Sequence, residues 1–331
     1  MWPLTGSIPE SLTDCCWVRL RAHNDPMRPS APTRSWLRVG LAALAWIGLA
    51  GLLGAGATLG WLRWNEDALV FETAVSRSRP DAPLPAYAQR LTIAGPAGSP
   101  LAALQFLADP LRDSGDWVLH LHGNADSAFS AVQVRHCEQL RALGLNVLSF
   151  DYRGFGHSSG IASEQHLYED AAAAYQTLIR RGIPPNRIII WGHSLGTAPA
   201  VELATRQRAA ALVLFGAFTS IPDVAAATYP YLPVRWVAGI HMDSLQRIGS
   251  VHLPVLIAHS VHDTLIPYRE GVRLYAAANP PKWFLALRGP SSDGFGGHVD
   301  ALYDHLDLLA AQLAALAHVQ LASAVAAEHV P

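Results

Sequence analysis

The stretch Ile188-Ile-Ile-Trp-Gly-His-Ser-Leu-Gly-Thr197 decides how the rest of the chain is read. A run of β-branched residues ends in Gly192-His193-Ser194-Leu195-Gly196, and a helix-forming segment, Pro199 to Arg208, follows. This is a G-x-S-x-G pattern set between a strand and a helix. A tight strand-to-helix turn strains the backbone of its central residue, so the flanking positions must lack bulk at Cβ. Ser194 Oγ is then expected to stand clear of the sheet. The backbone N–H of Leu195 is expected to open the helix and face a developing negative charge.

Three further segments follow this pattern in a meaningful order. Upstream, Trp117-Val-Leu-His-Leu-His-Gly-Asn-Ala125 is an apolar strand running into a glycine-containing loop. Downstream, Pro254-Val-Leu-Ile-Ala-His-Ser260 is a buried-type strand with Asp263 three residues beyond it. Lys282 to Arg288 is another strand, followed by a Gly/Ser-rich loop that leads to Gly296-Gly297-His298. The order Ser194, Asp263, His298 is that of α/β-hydrolases and opposite to that of chymotrypsin-like proteases.

Across about residues 85–318 the sequence resembles the α/β-hydrolase superfamily. His122-Gly-Asn-Ala125, Asp151-Tyr-Arg-Gly-Phe-Gly-His-Ser158 and Gly192-His-Ser-Leu-Gly196 make it similar to the membrane-anchored serine hydrolases of lysophospholipase- or acylglycerol-lipase-like type. The resemblance implies Ser194 as nucleophile, His298 as general base and Asp263 as the acid that orients it. It also implies an oxyanion hole from the backbone N–H groups of Asn124 and Leu195. Asp223 and Asp293 are the alternative acids and His305 the alternative base. Two features depart from the family pattern: Thr197, where a second glycine is usual after the turn, and the long glycine- and serine-rich loop before His298.

Half of the residues are hydrophobic and the formal net charge is −2. With no Lys/Arg runs, this argues against nucleic acid as a partner. Cys15, Cys16 and Cys137 imply no disulfide framework. His120 and His122 share a strand face, but a metal would need a third ligand such as His259 or His262, so no metal is expected. No dinucleotide fingerprint is present, and no cofactor is expected. Asp151 and Arg153 are expected to hold their loop together rather than to do chemistry.

From Val39 to Leu62 no residue is charged, and Trp36, Trp46, Trp61 and Trp64 lie in or beside the stretch. Its length spans a bilayer's hydrocarbon core. Arg19, Arg21, Arg28, Arg34 and Arg38 precede it, while Glu66, Asp67 and Glu72 follow. The positive-inside rule then predicts a single-pass membrane protein with a cytoplasmic N-terminus and an extracytoplasmic, for example periplasmic, catalytic domain. Alternatives are a signal peptide cleaved at Ala55-Gly56-Ala57 and a core helix, the latter weakened in water by six glycines.

The expected organisation is a tail (1–35), an anchor (36–63), an exposed Pro-containing linker (64–86), a hydrolase domain (87–318) and a second tail (319–331). A chain beginning near Pro83 is expected to be soluble and active. Within the domain, a hairpin at 89–107 precedes apolar strands that alternate with helices. This predicts an α/β fold with a mostly parallel sheet covered on both faces. The closing helix is expected over 299–316. Residues 219–251 interrupt the alternation as a short cap, in which Tyr229, Tyr231 and Trp236 are candidate walls for an apolar acyl group. The function that follows is a serine ester hydrolase acting on lipid-like or acyl esters through an acyl-enzyme. The alternatives are a thioesterase or amidase/peptidase with the same triad, or a non-catalytic binding protein on this fold.

Overall fold

Parallel strands need long crossovers, and this chain supplies them from its third strand onward. The computed structural model describes residues 34–289 and 293–317. Cys15, Cys16, Arg19, Arg21, Arg28 and both predicted terminal tails beyond those limits lie outside the described residues. The chain divides into two units, residues 1–56 and 57–331. The described part of the first belongs to helix α1 (Arg34–Trp64), whose segment Trp36–Trp64 is long and apolar enough to cross a membrane. Trp36, Leu44 and Leu52 are exposed on it.

The second unit carries an eight-stranded sheet, β1 (Ala88–Ala94), β2 (Pro100–Phe106), β3 (Trp117–Leu121), β4 (Asn146–Phe150), β5 (Ile188–His193), β6 (Ala211–Phe215), β7 (Val255–Ser260) and β8 (Lys282–Leu287). The spatial order is β1-β2-β4-β3-β5-β6-β7-β8. Strands β1 and β2 form an antiparallel hairpin, β2 pairs antiparallel with β4, and every other pairing is parallel. The period of two divides the sheet's side chains between two cores. Ile188 and Ile190 face one, with Leu119 and Leu212; Ile189 and Trp191 face the other, with Val118 and Val213. Both faces are therefore covered, by α4 (Ala131–Ala142), α5 (Glu164–Arg180), α6 (Thr197–Arg206), α10 (Tyr268–Ala277) and α11 (Leu306–Ala317) with their loops. Because β3, β5, β6, β7 and β8 run parallel, the loops leaving their carboxyl ends gather at one sheet edge.

Three boundaries differ from the sequence expectation. Strand β6, which the apolar run predicts over Ala211–Phe218, stops at Phe215 because Gly216 turns the chain at φ +61°. The closing helix starts at Leu306, not at residue 299. Asp293 accepts the Val299 N–H (2.8 Å), and Asp300 accepts from Arg135 (2.6 Å) and His136 (3.0 Å), so 299–305 is anchored as turns. Most consequential is the segment expected to be an exposed linker. It folds as α2 (Glu66–Val70) and α3 (Thr73–Ser78), and buries Glu66, Phe71 and Ser76. Phe71 packs edge-on against Phe155, with ring centroids 6.5 Å apart. Pro80, Pro83 and Pro85 give the region the look of an exposed linker, although these three buried side chains precede them.

Candidate active site

The turn at Ser194 is built by what its neighbours lack. Ser194 sits at φ +51°, in the left-handed region that side chains avoid. A Cβ on Gly192 would lie 2.6 Å from the Gly196 carbonyl oxygen, and one on Gly196 would lie 2.2 Å from that of Leu121. Only glycine fits at either position. Thr197, the departure from the family pattern, is fully buried, and its hydroxyl donates to the Ser194 carbonyl at 2.6 Å. The extra group thus satisfies an acceptor inside the strained turn.

Ser194 is half-buried, and its Oγ lies 2.8 Å from His298 Nε2. His298 Nδ1 lies 2.7 Å from Asp263 Oδ2. Burial alone would raise the Asp263 carboxyl. Hydrogen bonds from His259 and His298, with the Ile266 N–H, outweigh it and hold the group well below the usual carboxylate range. An ionised carboxylate only accepts, so His298 Nδ1 carries the proton and Nε2 is left as acceptor for the Ser194 hydroxyl.

The alternatives are engaged elsewhere. Asp223 accepts from Thr219 (2.8 Å) and pairs with Arg235 (2.8 Å) and Arg273 (2.9 Å). Asp293 accepts backbone N–H groups of Phe295 (2.8 Å) and Gly297 (3.0 Å), shaping the loop that carries His298. His305 lies in a 3₁₀ turn beside Gly289, away from Ser194. His120 faces Ser149 and Tyr303, and His122 Nδ1 donates to the Gly123 carbonyl at 2.8 Å. Asp151 accepts from the Ala128 N–H (2.7 Å), the His157 N–H (2.8 Å) and Ser127 Oγ (3.1 Å), while Arg153 pairs with Asp170 at 2.7 Å. Cys137 is a buried free thiol.

Two histidines matter in ways the sequence reading did not assign. His193 Nε2 donates to the His298 carbonyl at 2.9 Å, and burial with the neighbouring His298 pushes its own pKa down to about 3. It is a neutral ring stacked on Phe215 that fixes the backbone of His298. His259 Nε2 reaches the Ile266 carbonyl (3.0 Å) and Asp263 Oδ2 (3.2 Å). The i, i+4 spacing of His259 and Asp263 across a strand end was the available signal. Gly216 makes room for the His298 ring, since a Cβ there would come 3.0 Å from His298 Cε1.

The loop after β3 approaches this site closely. A Cβ on Gly123, the residue before Asn124, would lie 3.2 Å from Ser194 Cβ. The cap consists of α7 (Ile221–Thr228), α8 (Val234–Val237) and α9 (Ser244–Ile248). Its aromatic residues are solvent-exposed: Tyr231 is 97% exposed and Trp236 90%, and Tyr229 is exposed as well. The arrangement can deprotonate a hydroxyl at Ser194, return the proton to a leaving group, and hold the resulting imidazolium against a carboxylate.

Residues 114–245 match the family model described as serine aminopeptidase, S33. An uncharacterised protein of Mycobacterium tuberculosis is 43% identical over 177 residues, which cover 53% of this chain and 62% of that one. The lysophosphatidylserine lipase ABHD12 of Danio rerio is 37% identical over 183 residues, covering 50% of this chain and 48% of the lipase. The chain thus spans half to three-fifths of the length of these relatives. Among solved structures, the esterase Pf2001 of Pyrococcus furiosus aligns with a TM-score of 0.58 at 19% identity, covering 73% of this chain and 99% of the esterase. That likeness concerns the fold.

Proposed function

We propose that this chain, which belongs to the α/β-hydrolase serine hydrolases, is a membrane-anchored serine ester hydrolase acting on lipid-like or acyl esters. The observation that carries the reading is the continuous hydrogen-bonded series from Ser194 Oγ through His298 to the ionised Asp263. In the first step His298 Nε2 takes the Ser194 proton as Oγ attacks the ester carbonyl. The oxyanion is received by the backbone N–H groups of Asn124 and Leu195, a donor of this kind being worth about 3 kcal/mol in the transition state. His298 then protonates the departing alcohol, leaving an acyl-Ser194. Water, deprotonated by the same imidazole, attacks the acyl group and frees the acid and the serine. Asp263 keeps the imidazole in the required tautomer and stabilises its cationic form. The lysophosphatidylserine lipase among the relatives supports a lipid ester as the substrate class.

A second reading rests on the family description, which names an aminopeptidase. The same constellation cleaves amides or thioesters, and the leaving group decides which.

A fluorophosphonate probe tests the enzyme claim. Labelling of the wild-type chain, absent in a folded Ser194→Ala variant, is the expected result. Ser194→Ala should change stability by less than about 1 kcal/mol, because its side chain contributes little packing. Substantial ester turnover by that variant removes Ser194 as nucleophile. A panel of p-nitrophenyl esters from acetate to palmitate, run beside aminoacyl anilides, separates the two readings and sets the chain length.

A further inference from the structure

We infer that the segment Val70–Arg79, which follows the candidate membrane helix, is a positioning brace for the oxyanion loop. The inference rests on the serine hydrolase reading, because it assigns the brace to the loop that would receive the oxyanion. The loop after β3 contains Ala125 at φ +54°, a left-handed conformation in a residue with a Cβ. Such a turn keeps its shape only when surrounding contacts fix it. Here four of the contacts to Asn124, Ala125 and Asp126 come from one place. Asn124 Nδ2 donates to the Val70 carbonyl at 2.8 Å, and the Glu72 N–H donates back to Asn124 Oδ1 at 3.1 Å. Arg79 Nε donates to the Ala125 carbonyl at 2.9 Å. The Ser76 hydroxyl donates to the Asp126 carbonyl and accepts the Gly156 N–H at 2.9 Å.

Three consecutive loop residues are thus held by the same ten-residue stretch. Each bond uses a polar group that would otherwise have to find water or a different loop shape. The stretch is itself fixed to the domain. Phe71 is buried against Phe155, and Glu66, four residues before Val70, accepts the N–H groups of Gly239 and Ile240 at 2.9 Å. The peptide that carries the Asn124 N–H is therefore aimed by a segment lying some fifty residues earlier in the sequence. This revises the expectation that a chain beginning near Pro83 is active. Such a chain lacks every group of the brace, although the sheet and the triad are complete.

The test uses the full-length protein in detergent or vesicles. Arg79→Gln and Ser76→Ala are made singly and together. Arg79→Lys is the conservative variant that keeps a donor for the Ala125 carbonyl. Arg77→Gln serves as control, since Arg77 donates instead to Gly160. The double variant is expected to lose roughly tenfold to a hundredfold in kcat on p-nitrophenyl butyrate, with KM within about twofold. Affinity for a trifluoromethyl ketone, whose adduct carries the same oxyanion, should fall by the same factor as kcat/KM. Arg79→Lys should recover most of the loss, and Arg77→Gln should match the wild type. A purely structural role would lower the melting temperature without splitting kcat from KM. That outcome overturns the proposal, as does a double variant with wild-type kcat. If the fluorophosphonate probe leaves even the wild-type chain unlabelled, the hydrolase reading falls and the brace with it.

Discussion

At Ser194 the backbone is held in a conformation that most residues avoid, and the side chain is half-buried beside a buried histidine. Rigidity around that serine comes from residues that do no chemistry. Asp263, the acid of the proposed triad, lies three residues after β7 with its Oδ2 2.7 Å from His298 Nδ1, whereas Asp223 pairs with two arginines. Asp263→Asn should therefore keep the fold but reduce kcat by about 10³–10⁴-fold, because an amide favours the wrong histidine tautomer. Asp223→Asn should leave kcat within a few-fold of wild type. Steady-state kinetics on both variants decides the matter, and a reversal of the two effects would move the acid to the loop after β6.

His193 allows a prediction about pH. Its folded-state pKa is pushed down to about 3, while an unfolded histidine titrates near 6.5. Between those values the unfolded chain binds a proton that the folded chain refuses, so stability rises with pH across the window. The contribution is complete above about pH 6.5 and is lost as pH falls, at about 1.4 kcal/mol per unit. His120 and His136, also depressed by burial, act in the same direction. Urea unfolding of wild type between pH 5 and 6 should show a steep acid slope, reduced by about one proton in His193→Gln. An unchanged slope would mean that residue 193 is protonated in the folded state.

Among the elements, periodicity and local chemistry made the sheet legible. Apolar runs such as Ile188–Trp191 specify strands buried on both faces, and the glycines around Ser194 specify the turn. Strand-end position pointed to Asp263 because parallel strands bring their carboxyl ends to one edge. Contacts between segments far apart in sequence left no such pattern. The bond from His193 to the His298 carbonyl joins residues 105 apart, and that from Asn124 to the Val70 carbonyl joins residues 54 apart. The mixed stretch from Glu66 to Arg79 shows no clear period, and only Phe71 is a large buried apolar side chain there. In the cap, Tyr229, Tyr231 and Trp236 suggested an apolar wall by composition. Their side chains are exposed, Tyr229 at the end of α7, Tyr231 between α7 and α8, and Trp236 on α8. Composition alone does not say which way such side chains face.

For the whole molecule the deciding question is where it resides. Helix α1 carries no charge from Val39 to Leu62, and Trp36–Trp64 meets the length and apolarity of a membrane span. Its exposed Leu and Trp side chains need an apolar partner if they are to leave water, and a bilayer is one. A helix inserted in this way is held by apolar burial rather than by charge. The full-length protein should then stay in the membrane pellet after washing with alkaline carbonate or high salt. The arginine excess on the N-terminal side predicts that the hydrolase unit lies opposite the cytoplasm. Protease added to intact cells or spheroplasts should digest that unit, while a tag at the N-terminus stays protected. A soluble protein whose N-terminus begins near Thr58 would instead show that the helix is a cleaved signal peptide. The brace sharpens this test, because Val70–Arg79 survives such a cleavage and activity should survive with it. Digestion of the hydrolase unit only from the cytoplasmic side would reverse the orientation and leave the anchor in place.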